Sequence, residues 1–456
     1  MLNQLRLLRD VSAIVLIAAT WRLWFAVSDF PPVPFFSFLT SVPRFVDPIL
    51  SGVLISALLV DVCLIGAGIV RGSVSPRGLC VAQVCESLFV VMATGLILLN
   101  QHCLQPWMYH LLILTPLLWQ RSPVPVSGVG SSGSGGLIQN QSSDLFSHRA
   151  ILWLTASIYV WSAWSKLDAS FLQSHGPKFV STICDVVGIS TRFWTDRTWQ
   201  IAAAMLPVGE LIVGIGLLFS RTRNAALWSS LMMHGVLILA VGPWGLNHRA
   251  GVLLWNGYFI IQNLVLLRAT QKPGATAGLP GATAGLPSSE NMIGTNTAGQ
   301  ASSGTHQRAI SLVLAAAVMF PAFRSIGYCD TWPAWAVYAS SPARVLVQVR
   351  DDSVNQLPES LQQFVEPRQI NDGWSWLRID LWSLDATGTP IYPQDRFQWG
   401  VARSVAQIFS DRASLRIIHE AEADRWTGKR NRTQVIGEAD IAEFGTHFRL
   451  NSEFRE

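Results

Sequence analysis

The chain has 456 residues, of which half are apolar and only 14% are charged, with a formal net charge of +4. An ordinary soluble domain is about one-quarter charged, so a chain this poor in charge, with a mean hydropathy of +0.33, has lipid as the solvent for most of its length. The small net charge comes without a run of Lys or Arg, which excludes a nucleic-acid partner.

The N-terminal stretch RLLRDVSAIVLIAATWRLWF joins a basic flank to an apolar run, but Trp21, Arg22 and Trp24 stand where a signal peptide needs small residues before its cleavage point. It reads as a retained first helix. A bilayer core about 30 Å thick requires about 20 mostly apolar helical residues. By that ruler the spans are Val11–Val27, Ile49–Val70, Leu79–Leu99, Arg149–Ser165, Trp199–Ser220, Ala226–Gly245 and Ala250–Leu267. Two shorter runs join them: Gln105–Trp119, which carries Pro106 and Pro116, and the Ala-rich Ala309–Phe323. The expected architecture is therefore a polytopic α-helical membrane protein with about eight or nine transmembrane helices, whose immediate partner is membrane lipid. Several of the 19 Trp residues lie near the ends of apolar runs, as in an interfacial belt.

The chain divides into four N-terminal transmembrane helices over 1–120, a linker over 121–148, a four-helix unit over 149–268, a second linker over 269–308, a last transmembrane helix over 309–326 and a soluble domain over 327–456. The linkers contain SGVGSSGSGG at 127–136 and the tandem GATAGLPGATAGLP. Such compositions cannot bury enough apolar surface to offset the entropy of ordering.

After Gly327 the pattern becomes charged and alternating. Ala343–Val349 reads as a strand, Leu357–Val365 as a short helix, Trp374–Leu384 as a second strand and Asp395–Ser410 as a helix. Leu415–Arg425 and Thr433–Gly437 read as strands around a Thr427-Gly428 turn. The expectation is a small α+β soluble C-terminal domain. No GxGxxG, P-loop, HExxH or GxSxG motif occurs.

Cytoplasmic loops retain Lys and Arg. One side of the nine-helix arrangement holds eleven such residues, Arg6 and Arg9 among them, and the other holds six: Arg44, Lys166, Lys178, Arg192, Arg197 and Arg249. The N-terminus is therefore expected in the cytoplasm and the C-terminal domain outside, as in a protein integral to a cytoplasmic (inner) membrane. Cys63, Cys80, Cys85 and Cys103 lie in or beside apolar runs without CxxC spacing and read as small buried hydrophobes. Cys184 and Cys329 both fall on the expected outer side, where a disulfide can persist.

Ionisable groups inside a bilayer are costly and face a bundle interior or a wet cavity. Arg22, Asp61, Glu86, Glu210 and His234 fall within the expected spans. Pairing of Arg22 with Asp61 or Glu86 would hold three N-terminal helices in register. Glu210 and His234 lie at similar depth on consecutive antiparallel helices, so they are expected to face each other or a shared cavity rather than lipid, either carrying protons or joining two helices by a hydrogen bond. Lys166 in WSAWSKLDASF ends a helix at the membrane surface, where snorkelling and chemistry are both open to it. In GPWGLNHRAGVLLWN, turn chemistry accounts for Gly and Pro. No metal-ligand spacing is present.

Three segments, WSAWSKLDASFL at 161–172, MLPVGELIVGIGLLFSRTRNAAL at 205–227 and MHGVLILAVGPWG at 233–245, resemble the DoxX/MauE-like membrane family over about 120 residues. In that family an aromatic-rich helix ends in Lys and is followed by a P-x-x-E-x-x-x-G-x-x-L-type helix. Lys166, Pro207, Glu210 and Gly214 fill those positions. More remotely, LLNQHCLQPWMYHLL at 98–112 resembles the HTTM/vitamin-K-dependent carboxylase-like proteins, except that Asn100 replaces an acidic residue and no Lys is present. The resemblance implies a DoxX-like four-helix unit and a link to quinone, thiol or sulfur redox chemistry. Three functions are then open: a protein assisting or anchoring an extracytoplasmic redox protein, a quinone-linked oxidoreductase subunit in which Glu210 and His234 handle protons, and a transporter.

Overall fold

The computed structural model describes residues 1–71, 75–119, 134–271, 297–368, 372–409, 411 and 414–455. Helix α1 (Leu2–Ala19) and the single turn α2 (Trp21–Trp24) lead through a loop to the hairpin α3 (Val46–Arg71) and α4 (Pro76–Leu99). Then come the short α5 (Pro106–Leu118) and the long α6 (Ser134–Lys166). Two outer helices follow, α7 (Ala169–Gln173) and α8 (His175–Val187), and then α9 (Asp196–Leu218), α10 (Arg223–Val241), α11 (Ala250–Thr270) and α12 (Thr297–Met319). The chain is mostly helical. Among the described residues six helices are long and apolar enough to cross a membrane: Val46–Arg71, Arg77–Leu99, Asp196–Leu218, Arg223–Val241, Ala250–Thr270 and Arg308–Ile326.

Helix α1 starts earlier and ends earlier than the apolar run that announced it. Thr20 closes it, because its hydroxyl bonds back to Leu16 O at 2.7 Å and accepts from Trp24 Nε1 at 3.0 Å. This shift takes Arg6, Arg9 and Asp10 into the helix and leaves Arg22 beyond its end. Helix α5 is apolar all round and almost wholly buried, the pattern of a helix at the centre of a bundle. Pro106 begins it, where a missing N–H costs nothing.

Helix α6 extends back to Ser134 and α12 back to Thr297, into segments expected as linkers. Residues 127–133 and the GATAGLP tandem lie outside the described residues. Helix α3 packs on α4, α6 on α9 and α10 on α11, while α1 joins the two halves through α3 and α11. Gly214 permits the α6–α9 approach: a Cβ there would stand 2.9 Å from Val160 Cγ2 and 3.1 Å from Ala156 O. Cys63 and Cys80, expected to be buried, lie on the outer surface of α3 and α4, whereas Cys85 and Cys103 are buried.

The C-terminal domain contains β1 (Arg344–Arg350), α13 (Glu359–Gln362), β2 (Val365–Pro367), β3 (Trp374–Leu377), α14 (Ile379–Thr387), α15 (Asp395–Ala406), β4 (Leu415–Glu420), β5 (Arg432–Ile436) and α16 (Glu438–Gly445). Its strands form one antiparallel sheet in the order β2-β3-β1-β4-β5. Val345, Val347 and Val349 alternate inward from the central strand. The expected hairpin is present, with Gly428 at φ +71° in its turn. The expected strand Trp374–Leu384 is instead half strand and half helix. Arg378 breaks it, with ψ 77°, and its guanidinium bonds Asp380 in the first turn of α14 at 2.7 and 2.9 Å.

The domain is fastened to one end of the helical bundle. His102 Nε2, after α4, lies 2.8 Å from Pro390 O and 2.9 Å from Thr389 Oγ1. Gln101 Nε2 donates to Asn451 O at 3.0 Å, and Arg455 pairs with Asp47 at the start of α3. Phe30, from the loop before α3, packs edge-on against Trp382 at 4.8 Å. Gly400 on α15 lets Val33 approach: a Cβ there would meet Val33 Cγ2 at 2.7 Å.

Candidate functional site

Two buried polar groupings lie inside the helical bundle. The first joins three N-terminal helices. Arg6 Nη2 contacts Asp61 Oδ1 at 2.6 Å and Arg6 Nε contacts Glu86 Oε1 at 3.1 Å. Arg9 contacts Asp10 at 2.6 Å, Asp61 and Glu86 at 3.4 Å each, and the Thr115 hydroxyl at 3.3 Å. All five ionisable groups are buried. Asp61 and Glu86 thus sit in an interhelical ion cluster, but Arg22 has no part in it. Arg22 is exposed and donates to Asp385 O in the C-terminal domain at 3.1 Å. The early start of α1 explains the exchange, since it brings Arg6 and Arg9 to face α3 and α4.

The second grouping runs through α6, α9, α10 and α11. Lys166 Nζ donates to Glu210 Oε2 at 2.7 Å and to Ser162 Oγ at 2.7 Å. Two helical turns back, the Tyr159 hydroxyl lies 2.9 Å from His234 Nε2, and His234 Nδ1 lies 2.9 Å from Asn256 Oδ1. Asn256 Nδ2 donates to Val252 O at 2.9 Å. Its Oδ1 therefore accepts from His234 Nδ1, which leaves Nε2 of a neutral imidazole to accept from Tyr159. Asn263 Nδ2 donates to the Tyr159 hydroxyl at 2.8 Å and to Ser230 Oγ at 2.9 Å. The donor order thus runs one way, from Asn263 through Tyr159 and His234 to Asn256. Gln262 extends the seam to Thr155 at 3.1 Å and accepts from Tyr258 at 2.7 Å.

Glu210 and His234 make no direct hydrogen bond to each other, and each is engaged inside the bundle rather than turned to lipid. Helix α6 presents a separate partner to each, Lys166 to α9 and Tyr159 to α10. Asp168 caps α7 by accepting from Phe171 N at 2.7 Å. The Cys184–Cys329 disulfide that the sequence left open is not formed: Cys184 is buried on α8, Cys329 lies beside Asp330 O, and both are free thiols. No cluster of metal-ligating side chains occurs among the described residues.

Sequence reasoning passed over Tyr159, Asn263 and His110. Thr155, Tyr159, Ser162 and Lys166 recur at spacings of four, three and four, one face of a helix, and that stripe was the available signal. His110 on α5 stacks on Phe259 at 5.3 Å, Phe259 stacks on His234 at 5.0 Å, and neither His110 nitrogen has a hydrogen-bond partner. Asn263 Oδ1 is likewise buried without a partner. Nothing in the sequence spacing brings α5 to α11, so only packing reveals this contact.

The Lys166 end of the seam touches the C-terminal domain. Arg425 lies 3.9 Å over the Trp164 ring, donates to Trp164 O at 2.9 Å and accepts through its carbonyl from Ala169 N at 2.9 Å. Comparison with known proteins returns no matching family model, no matching curated protein and no matching solved structure.

Proposed function

We propose that the chain is a nine-span protein of the cytoplasmic membrane that assists or anchors an extracytoplasmic redox system, with its soluble domain outside. The observation that carries this reading is the seating of the domain on the Lys166–Glu210 end of the four-helix unit through Arg425. Membrane seam and soluble surface then form one unit to which an external protein can dock. The redox assignment rests on the DoxX/MauE-like resemblance of the segments that supply Lys166, Glu210 and His234.

The nine-span count draws support from the helix ends that meet the domain. They are the C-terminal ends of α4 and α6, the N-terminal end of α3 and the α10–α11 turn, where His248 packs on Tyr338 at 5.8 Å. That alternation fits α1, α3, α4, α5, α6, α9, α10, α11 and α12 crossing in turn. Arg6, Arg9 and Lys166 are paired inside the protein, so they leave the loop-charge comparison. Nine cationic residues then face six less one, five, which preserves the orientation. Cysteine labelling from outside should reach the domain and residues 188–195 and should not reach 272–296; the opposite pattern overturns the topology.

The one-way chain Asn263–Tyr159–His234–Asn256 favours a second reading, a quinone-linked oxidoreductase subunit. An imidazole flanked by a phenol and an amide can take up and return a proton beside a lipid-soluble carbonyl. Purification in mild detergent separates the readings: a stoichiometric soluble partner supports the first, bound quinone the second, and neither supports neither.

A further inference from the structure

A cavity of about 280 Å³ opens where the loop before α3 meets the C-terminal domain. Two guanidinium groups, Arg44 and Arg455, line it. Arg455 is only 1% exposed. One of its terminal nitrogens engages Asp47, while Nε and Nη1 have no partner. Arg44 Nη2 donates to Phe30 O at 3.2 Å and its Nε has none. Burial lowers the Arg44 guanidinium below its usual range, which Asp29 at the rim opposes.

Three buried guanidinium nitrogens without acceptors, on the two arginines that line the cavity, are an open cost, because a desolvated donor on a charged group forfeits more than a neutral one. Asp47 answers one of the two positive charges, and Asp29 is exposed, where water screens it. The planar guanidinium fork matches an oxyanion. Around it the wall is apolar, with Trp382, Ile408 and Phe454. The volume is at the small end of ligand pockets, which suits a headgroup-sized body.

We infer that this cavity binds an organic oxyanion, a phosphate or carboxylate, whose charged head is held between Arg44 and Arg455 and whose carbon body lies against Trp382, Ile408 and Phe454. Such a group has two sources, the phosphate of an outer-leaflet phospholipid and a small soluble phosphate ester. In either case the ligand bridges the loop before α3 and the soluble domain, so its binding strengthens their docking.

The test uses the full chain in dodecyl maltoside micelles, which carry no phosphate or carboxylate, with phosphatidylglycerol added to the micelles in one arm and soluble glycerol phosphate in the other. Thermal unfolding of the domain and native mass spectrometry are the readouts. A saturable rise in Tm with one retained phosphatidylglycerol per chain assigns the site to lipid. The same rise with glycerol phosphate alone assigns it to a soluble ester. Arg44→Gln should weaken either response at least tenfold. Because Arg455→Gln alone strands Asp47, it is combined with Asp47→Asn and should have the same effect. If neither anion raises Tm, or if each raises it equally in the wild type and in Arg44→Gln, the proposal is overturned.

Discussion

Lys166 Nζ and Glu210 Oε2 meet at 2.7 Å, and each side chain is only 14% exposed. The pair ties the end of α6 to the middle of α9. Glu210→Gln should destabilise the four-helix unit by roughly 2 kcal/mol, below the 3–5 kcal/mol of a fully buried pair, because water still reaches both groups. The double variant Lys166→Met/Glu210→Leu should lose less than either single change. Unfolding in detergent measures all three, and additive losses would show that the two residues are not coupled.

Tyr159→Phe removes the hydroxyl that donates to His234 Nε2 and accepts from Asn263. The expected cost is about 1–3 kcal/mol, the range for stranding a buried polar group. His234→Phe with Asn256→Leu, which removes the polar pair together, should cost less per group. Under the quinone reading, Tyr159→Phe should also slow turnover more than it lowers Tm, and an unchanged rate would remove that role.

Asp61 accepts from both Arg6 and Arg9 in a closed interior. Asp61→Asn should leave two guanidiniums facing one fewer charge and destabilise the N-terminal helices by about 3–5 kcal/mol. Arg22→Gln should change stability by less than about 0.5 kcal/mol, since its side chain is exposed. Comparable losses in the two variants would contradict the assignment of the cluster to Arg6 and Arg9.

Gly400 should not tolerate a larger residue. Its missing Cβ makes room for Val33, so Gly400→Val should loosen the domain and expose the loop around residues 28–45 to protease, at a cost of about 1–3 kcal/mol. Val33→Ala in the same chain should recover much of the protection; failure to recover it would mean that the damage lies within the domain.

Burial pushes the His102 imidazole down to about 4, while its hydrogen bond to Pro390 O acts the other way. The folded value lies below the unfolded value near 6.5, so the unfolded state binds the extra proton. Docking stability is therefore full above pH 6.5 and falls as pH drops toward 4, by about 3 kcal/mol in all. Protease susceptibility of the domain should rise through that window, and His102→Gln should flatten the profile.

Mean hydropathy, span length and the alternation after Gly327 were enough to read a helical membrane protein with a small sheet domain, because burial in lipid and sheet pairing both leave a periodic trace in one dimension. Lys166, Glu210 and His234 were legible for a similar reason: polar groups within apolar runs stand out. Their partners were not legible. Which arginine meets Asp61 depended on where α1 starts, and a hydropathy window fixes a boundary only to within a turn or more. Whether Glu210 meets His234 or Lys166 depended on helix rotation and on a third helix offering each of them a partner. The contact of His110 with Phe259, the cavity at Arg44 and Arg455, and the bond from His102 to Pro390 join residues up to 411 positions apart in the chain. Such contacts carry no local periodicity, so only the packing of helix on helix and domain on bundle decided them.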